Sequence, residues 1–196
     1  MRNRDLRRQL DTLEFQAMHS TAAATAASAL NQAGDACERA GEITLALEYY
    51  GQAIDTNVKA DRFTPAMALC RKVVRVAPNV VRARCTLAWL AIGNGFERDS
   101  IVLVGEYVSA AQRARCGPLA VAQLRRMSEV ATGGELRNAL AVHLRRLGDN
   151  ATADRLDGEA LAAAAEAAQN AEASDGDARW TTARRSVLLG PRDLAA

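Results

Sequence analysis

The chain has 196 residues, 49% hydrophobic and only 4% aromatic, with 25 Lys and Arg against 23 Asp and Glu. At this size folding removes roughly 70% of the unfolded chain's surface from water, so a core needs no disulfide or metal, and a net charge of +2 is too balanced to imply nucleic acid globally. Cys37, Cys70, Cys85 and Cys116 stand singly, which excludes paired-cysteine zinc or redox motifs, and no uncharged run has the apolar density to span a membrane.

Arg2, Arg4, Arg7 and Arg8 lead into Asp11 and Glu14, where a secretion signal needs an apolar run, so a cytoplasmic protein is expected. Leu6, Leu10, Leu13 and Ala17 fall on one helical stripe, predicting an amphipathic helix over residues 1–18. A second helix over about 20–40 stops at Gly41, and Ile43, Leu47, Tyr50 and Ile54 start a third. Thr64-Pro65 reads as an N-cap with proline in the first turn of a helix that Pro78 ends, and Asn79 as the cap of the next. That next helix is apolar nearly all round from Cys85 to Ile92, which places it mid-stack before Gly93-Asn94-Gly95. Ile101, Val104 and Val108 mark another helix, rich in β-branched residues. Ala120, Leu124, Met127 and Ala131 follow the Gly117-Pro118 turn, and Leu136, Leu140, Leu144 and Leu147 follow Gly133-Gly134. A last helix begins near Ala151. The chain is read as all-α, an antiparallel helix-hairpin solenoid of about 8–9 helices over residues 19–170, with a linker and basic tail over 171–196 that carries Val187-Leu188-Leu189.

Ala33-Gly34-Asp35, Cys37, Gly41-Glu42, Ala46-Leu47-Glu48-Tyr49-Tyr50 and Ala53-Ile54 resemble one tetratricopeptide repeat. Leu140-Ala141, Leu144, Gly148-Asp149, Ala153 and Ala160 form a second match, and Leu87-Ala88, Gly95, Ser100 and Val104 a looser third. Ala66 to Ser100 is one 34-residue period, whereas Ala46 to Ala66 is much shorter, and Cys or Leu mostly replaces the family's large aromatics. The resemblance implies that Gly34, Gly41 and Ala46 let two helices approach closely, and that recognition uses the first helix of each pair. It selects Asn31, Asp35, Glu38 and Arg39, then Arg82, Cys85 and Trp89, then Asn138, Val142, Arg145 and Arg146.

No spacing selects a nucleophile with a base, a phosphate-binding glycine loop or a metal-ligand set, so no catalytic residue and no cofactor is assigned. His143, between Leu140 and Leu147, reads as a hydrogen-bonded structural histidine. The expected activity is a protein–protein adaptor whose groove holds a peptide or helix, with Arg82, Arg145 and Arg146 contacting acidic groups. The alternative is a nucleic-acid-associated regulator using the acid-free stretch 62–96, which holds Arg71, Lys72, Arg75, Arg82 and Arg84 but lacks interleaved stacking aromatics.

Overall fold

A computed structural model describes residues 2–159 together with 161, 162 and 165. They form helices α1 (Arg2–His19), α2 (Ala23–Ala40), α3 (Ile43–Lys59), α4 (Phe63–Val76), α5 (Val81–Gly93), α6 (Glu97–Arg113), α7 (Gly117–Val130) and α8 (Gly134–Arg146), with α9 over residues 150–159. No strand occurs among the described residues, and successive helices pack as antiparallel hairpins. The basic tail read from the sequence lies outside them. None of the described helices is long and apolar enough to cross a membrane.

Five of the turns share one geometry. After α2, Gly41 takes φ +84, the Glu42 N–H donates to Cys37 O at 2.9 Å and the Gly41 N–H to Glu38 O at 3.0 Å. This Schellman closure satisfies two carbonyls that the helix end would leave unpaired. It recurs at Gly95 after α5 and Gly148 after α8, and with side chains in the left-handed region at Asp61 after α3 and Arg115 after α6. The next helix starts two residues later each time. The α4–α5 and α7–α8 links differ, leaving the helix at Ala77 and at the extended Ala131 with no left-handed residue.

The recurring unit is therefore three helices long. α2–α4 form the first unit, α5–α7 the second, and α8 and α9 begin a third; α3, α4 and α5 start at residues 43, 63 and 81, and their counterparts at 97, 117 and 134. The offset is 54 residues until the α7–α8 link, which is one residue shorter than the α4–α5 link, and 53 beyond it. All three repeat-like segments found in the sequence fall into this register. Ala33, Leu87 and Leu140 coincide, as do Gly34, Ala88 and Ala141, and Ala46, Ser100 and Ala153, all of them buried. The 34-residue spacing of Ala66 and Ser100 is the step from the third helix of one unit to the second helix of the next.

Two apolar clusters fill the stack, one centred on α2–α5 and one on α5–α9. α1 belongs to the first cluster, contributing Leu10 and Leu13, and its Glu14 accepts a hydrogen bond from the Tyr49 hydroxyl. α5 lies where the clusters meet, as its all-round apolar pattern requires. The β-branched residues of α6 cost helix propensity, but burial of Val104 and Val108 outweighs a few tenths of a kcal/mol each.

Two expected caps are corrected. α4 begins at Phe63 with Arg62 in the cap position, so Thr64 is already helical, and Pro65 sits in the first turn where its missing N–H has no partner to lose. α5 is preceded by Val80, and Asn79 does not cap it. The turn geometry, not a side-chain cap, sets where α4 starts.

Candidate partner-binding groove

Most of the selected residues recur at matching positions of α2, α5 and α8, the first helices of the three units. Asn31, Cys85 and Asn138 are equivalent, as are Asp35, Trp89 and Val142; Arg145 matches Glu38, and Arg146 matches Arg39. Most are engaged within the protein. The Lys72 ammonium of α4 donates to Asn31 Oδ1 at 2.9 Å and to Asp35, and lies 4.6 Å from the centre of the Tyr50 ring. The Tyr50 hydroxyl stands 2.6 Å from Asp35 Oδ1 and 2.7 Å from Glu38 Oε2, so one phenolic proton serves two carboxylates. Burial works to raise the Asp35 pKa, but the hydrogen bonds from Lys72 and Tyr50 outweigh it and hold the carboxyl below its usual value. Burial, then the two carboxylates, drive the Tyr50 pKa up and keep the phenol protonated.

Trp89 is half-buried and donates from Nε1 to Gln123 Oε1 of α7 at 3.0 Å. Arg145 donates to Asp154 and Asp157 of α9 at 2.7 and 2.9 Å. Arg39, Arg82, Asn138 and Arg146 are exposed. No hydrogen bond or ion pair among the described residues joins the α2 set to the α5 or α8 set. Three cations of the acid-free stretch face carboxylates across helices, Lys72 with Asp35, Arg84 with Glu106 at 3.0 Å and Arg75 near Glu38 at 3.9 Å, while Arg71 and Arg82 are exposed with no ion pair among the described residues.

An open groove of about 640 Å³ lies between α3 and α5. Its apolar lining is Leu47, Ile54, Val73, Val80 and Ala83; Glu48 and Asp55 stand on the α3 wall and Arg82 on the α5 wall. Neither Glu48 nor Asp55 has an ion-pair partner among the described residues. Gly51, in the middle of α3, lines the groove, and a Cβ there would meet nothing within 4 Å.

The three-helix register explains why the groove exists. Its equivalent one unit later is the junction of α6 with α8, which is packed shut, while α3 and α5 stay apart. Met127 and Leu136 fill that second junction, and their counterparts here are the smaller Val73 and Ala83. Gly105, the counterpart of Gly51, has His143 over it, with Nε2 3.6 Å from where a Cβ would stand. The second junction is also pinned, because Glu97 Oε1 accepts from the Leu136 N–H at 3.2 Å in the first turn of α8. Glu97 reaches that point only because Gly133 has no side chain in its way. In the first junction the equivalent residues are Ile43 and Val80, which can neither form that bond nor leave that space.

The titratable groups have structural surroundings. Burial pushes the Cys70 thiol up to about 12 and raises the Cys37 and Cys85 thiols, so these sulfurs are held protonated and poorly nucleophilic. Among the described residues the buried His143 Nδ1 has no hydrogen-bond partner, which corrects the reading of a hydrogen-bonded histidine; burial, then Arg146, lowers its pKa and keeps the ring neutral. Among the described residues no group of three or more His, Cys, Asp or Glu could hold a metal ion.

Of the selected residues only Arg82 lines the groove. Leu47, Glu48, Gly51 and Asp55 were missed because they lie on the second helix of a pair. A signal for them was present in the sequence: a glycine inside a strong helical pattern at Gly51, repeated 54 residues later at Gly105. No family model matches the chain, and no curated protein matches it.

Proposed function

We propose that the chain is a non-catalytic adaptor, tetratricopeptide-like in its helix pairs and cytoplasmic, which holds a peptide or helix of another protein in the α3–α5 groove. One observation carries the reading: the same helix junction occurs twice, sealed between α6 and α8 and open, apolar-floored and acid-rimmed between α3 and α5. A groove with an apolar lining on an otherwise well-packed stack offers concave surface where a partner's apolar side chains can leave water, beside the half-buried Leu47 and Val80. Glu48 and Asp55 outnumber Arg82 there, so a basic, apolar segment suits the groove better than the acidic partner expected from Arg145 and Arg146, which sit elsewhere. Pairing of Lys72, Arg75 and Arg84 with carboxylates likewise reduces the positive charge that this stretch offers to phosphates.

Gly51→Leu tests the reading without threatening the fold. The new side chain enters open space and replaces the least favourable helix residue but proline, so stability should rise by about 0.5–1 kcal/mol. It also occupies the groove. Comparing tagged wild-type and Gly51→Leu proteins as baits in extract of the native cell, specific partners should be lost from the variant while its melting temperature holds or increases. Undiminished capture by a stable variant would remove the groove from the function.

A further inference from the structure

From the charge and hydropathy of the groove we infer that its resident occupant is the chain's own C-terminal segment, residues 179–196, which screens the site until a partner displaces it. The inference rests on reading the groove as the binding site and adds its regulation. The groove offers two carboxylates with no ion pair among the described residues, Glu48 and Asp55, one cation, Arg82, and an apolar floor between them. The segment offers the complement: Arg179, Arg184, Arg185 and Arg192, one acid, Asp193, and the apolar run Val187-Leu188-Leu189 directly after the paired arginines. Glu48 and Asp55 are seven residues apart on α3, about 10 Å along the helix, with Leu47, Gly51 and Ile54 between or beside them. An arginine at either rim therefore leaves the leucines over the floor.

The tether is long enough. Residues 166–183 can span up to about 60 Å, whereas packed helices stand 8–10 Å apart and only α6, α7 and α8 come between α5 and α9 in the chain. Tethering also raises the local concentration of the segment to the millimolar range, so a weak fit suffices to keep the groove covered while a partner with modestly better contacts still displaces it. Leu47 and Val80, half-buried beside the groove, gain cover without any new fold.

Hydrogen exchange of the full-length chain tests this directly, read at the amides of α3 and the start of α5. Arg184→Glu with Arg185→Glu should speed exchange there by about two- to fivefold, the scale of one exposed ion pair, and Leu188→Glu should do the same. Glu48→Lys with Asp55→Lys should match them, and combining both charge reversals should restore protection, which a merely structural role for either set would not do. Adding a synthetic peptide of residues 179–196 to the Leu188→Glu protein should restore it in trans. Unchanged exchange in the tail variants, or no recovery in the charge swap, would overturn the inference. So would protection that grows with protein concentration, since the occupant would then be a second copy. None of these outcomes bears on partner capture, which the Gly51→Leu comparison decides separately.

Discussion

Gly34 and Tyr50 show how a single position is fixed by its neighbour. A Cβ on Gly34 would overlap the Tyr50 ring, and the ring cannot retreat because its hydroxyl is held by Asp35 and Glu38 and its face by Lys72. In the second unit the equivalent pair is Ala88 and Val104, a methyl gained against an aromatic lost. Gly34→Ala alone should therefore destabilise by about 2 kcal/mol, the usual scale of overpacking. Tyr50→Val should be costly too, through its cavity and the orphaned carboxylates. The double variant reproduces the second unit's pairing, and denaturant titration should find it more stable than the two single losses predict by about 1 kcal/mol or more. Simple additivity would mean that Gly34 is there for another reason. The repeat resemblance pointed to Gly34 as a site of close helix approach, but Gly41, expected to serve the same end, has nothing within 4 Å of its Cβ position and is needed for its φ of +84; that Tyr50 is the group Gly34 approaches, and that it also anchors a polar cluster, was not legible, since the partners come from α2 and α4.

Elements begin and end here by turn geometry. Five turns use the left-handed region, and three of them place glycine there, while Asp61 and Arg115 hold side chains at φ +55 and +57. A non-glycine residue in that region costs about 1–2 kcal/mol, less for Asp, whose side chain can bond locally. Arg115 is exposed and carries that strain with no ion pair among the described residues to offset it. Arg115→Gly should thus stabilise the chain by about 0.5–1 kcal/mol after the extra freedom of glycine in the unfolded state is subtracted, raising the melting temperature by about 1–4 °C. A fall instead would show that the arginine side chain supports the α6–α7 turn. Helix positions were readable because apolar periodicity and glycine punctuation agreed; Thr64 and Asn79 misled because a good cap residue acts only at the position where the helix begins, and Thr64 lies inside α4 while Asn79 precedes the Val80 cap position of α5.

At the scale of the whole molecule, an all-helical stack could be read from the sequence, but its repeat length could not. Spacings of 20 and then 34 or 33 residues alternate along Ala46, Ala66, Ser100, Ala120 and Ala153, and only the three-dimensional turns show that they add up to one three-helix unit. The groove was illegible for the same reason, because it depends on comparing two junctions whose equivalence the register reveals. If missing side-chain volume is what holds the first junction open, restoring it should close it. Ala83→Leu with Val73→Met gives α5 and α4 the side chains that Leu136 and Met127 supply in the sealed junction. Each added methylene buried there contributes up to about 0.8 kcal/mol, and the missing counterpart of the Glu97 bond will limit the gain to part of that sum. We expect about 1–2 kcal/mol of added stability, slower hydrogen exchange along the α3 face that carries Leu47 and Ile54, and loss of partner capture in parallel with Gly51→Leu. A drop in stability with exchange unaltered would mean that α3 and α5 are held apart by the α4–α5 link itself, and that Pro78 and the extra linker residue, not the small side chains, keep the groove open.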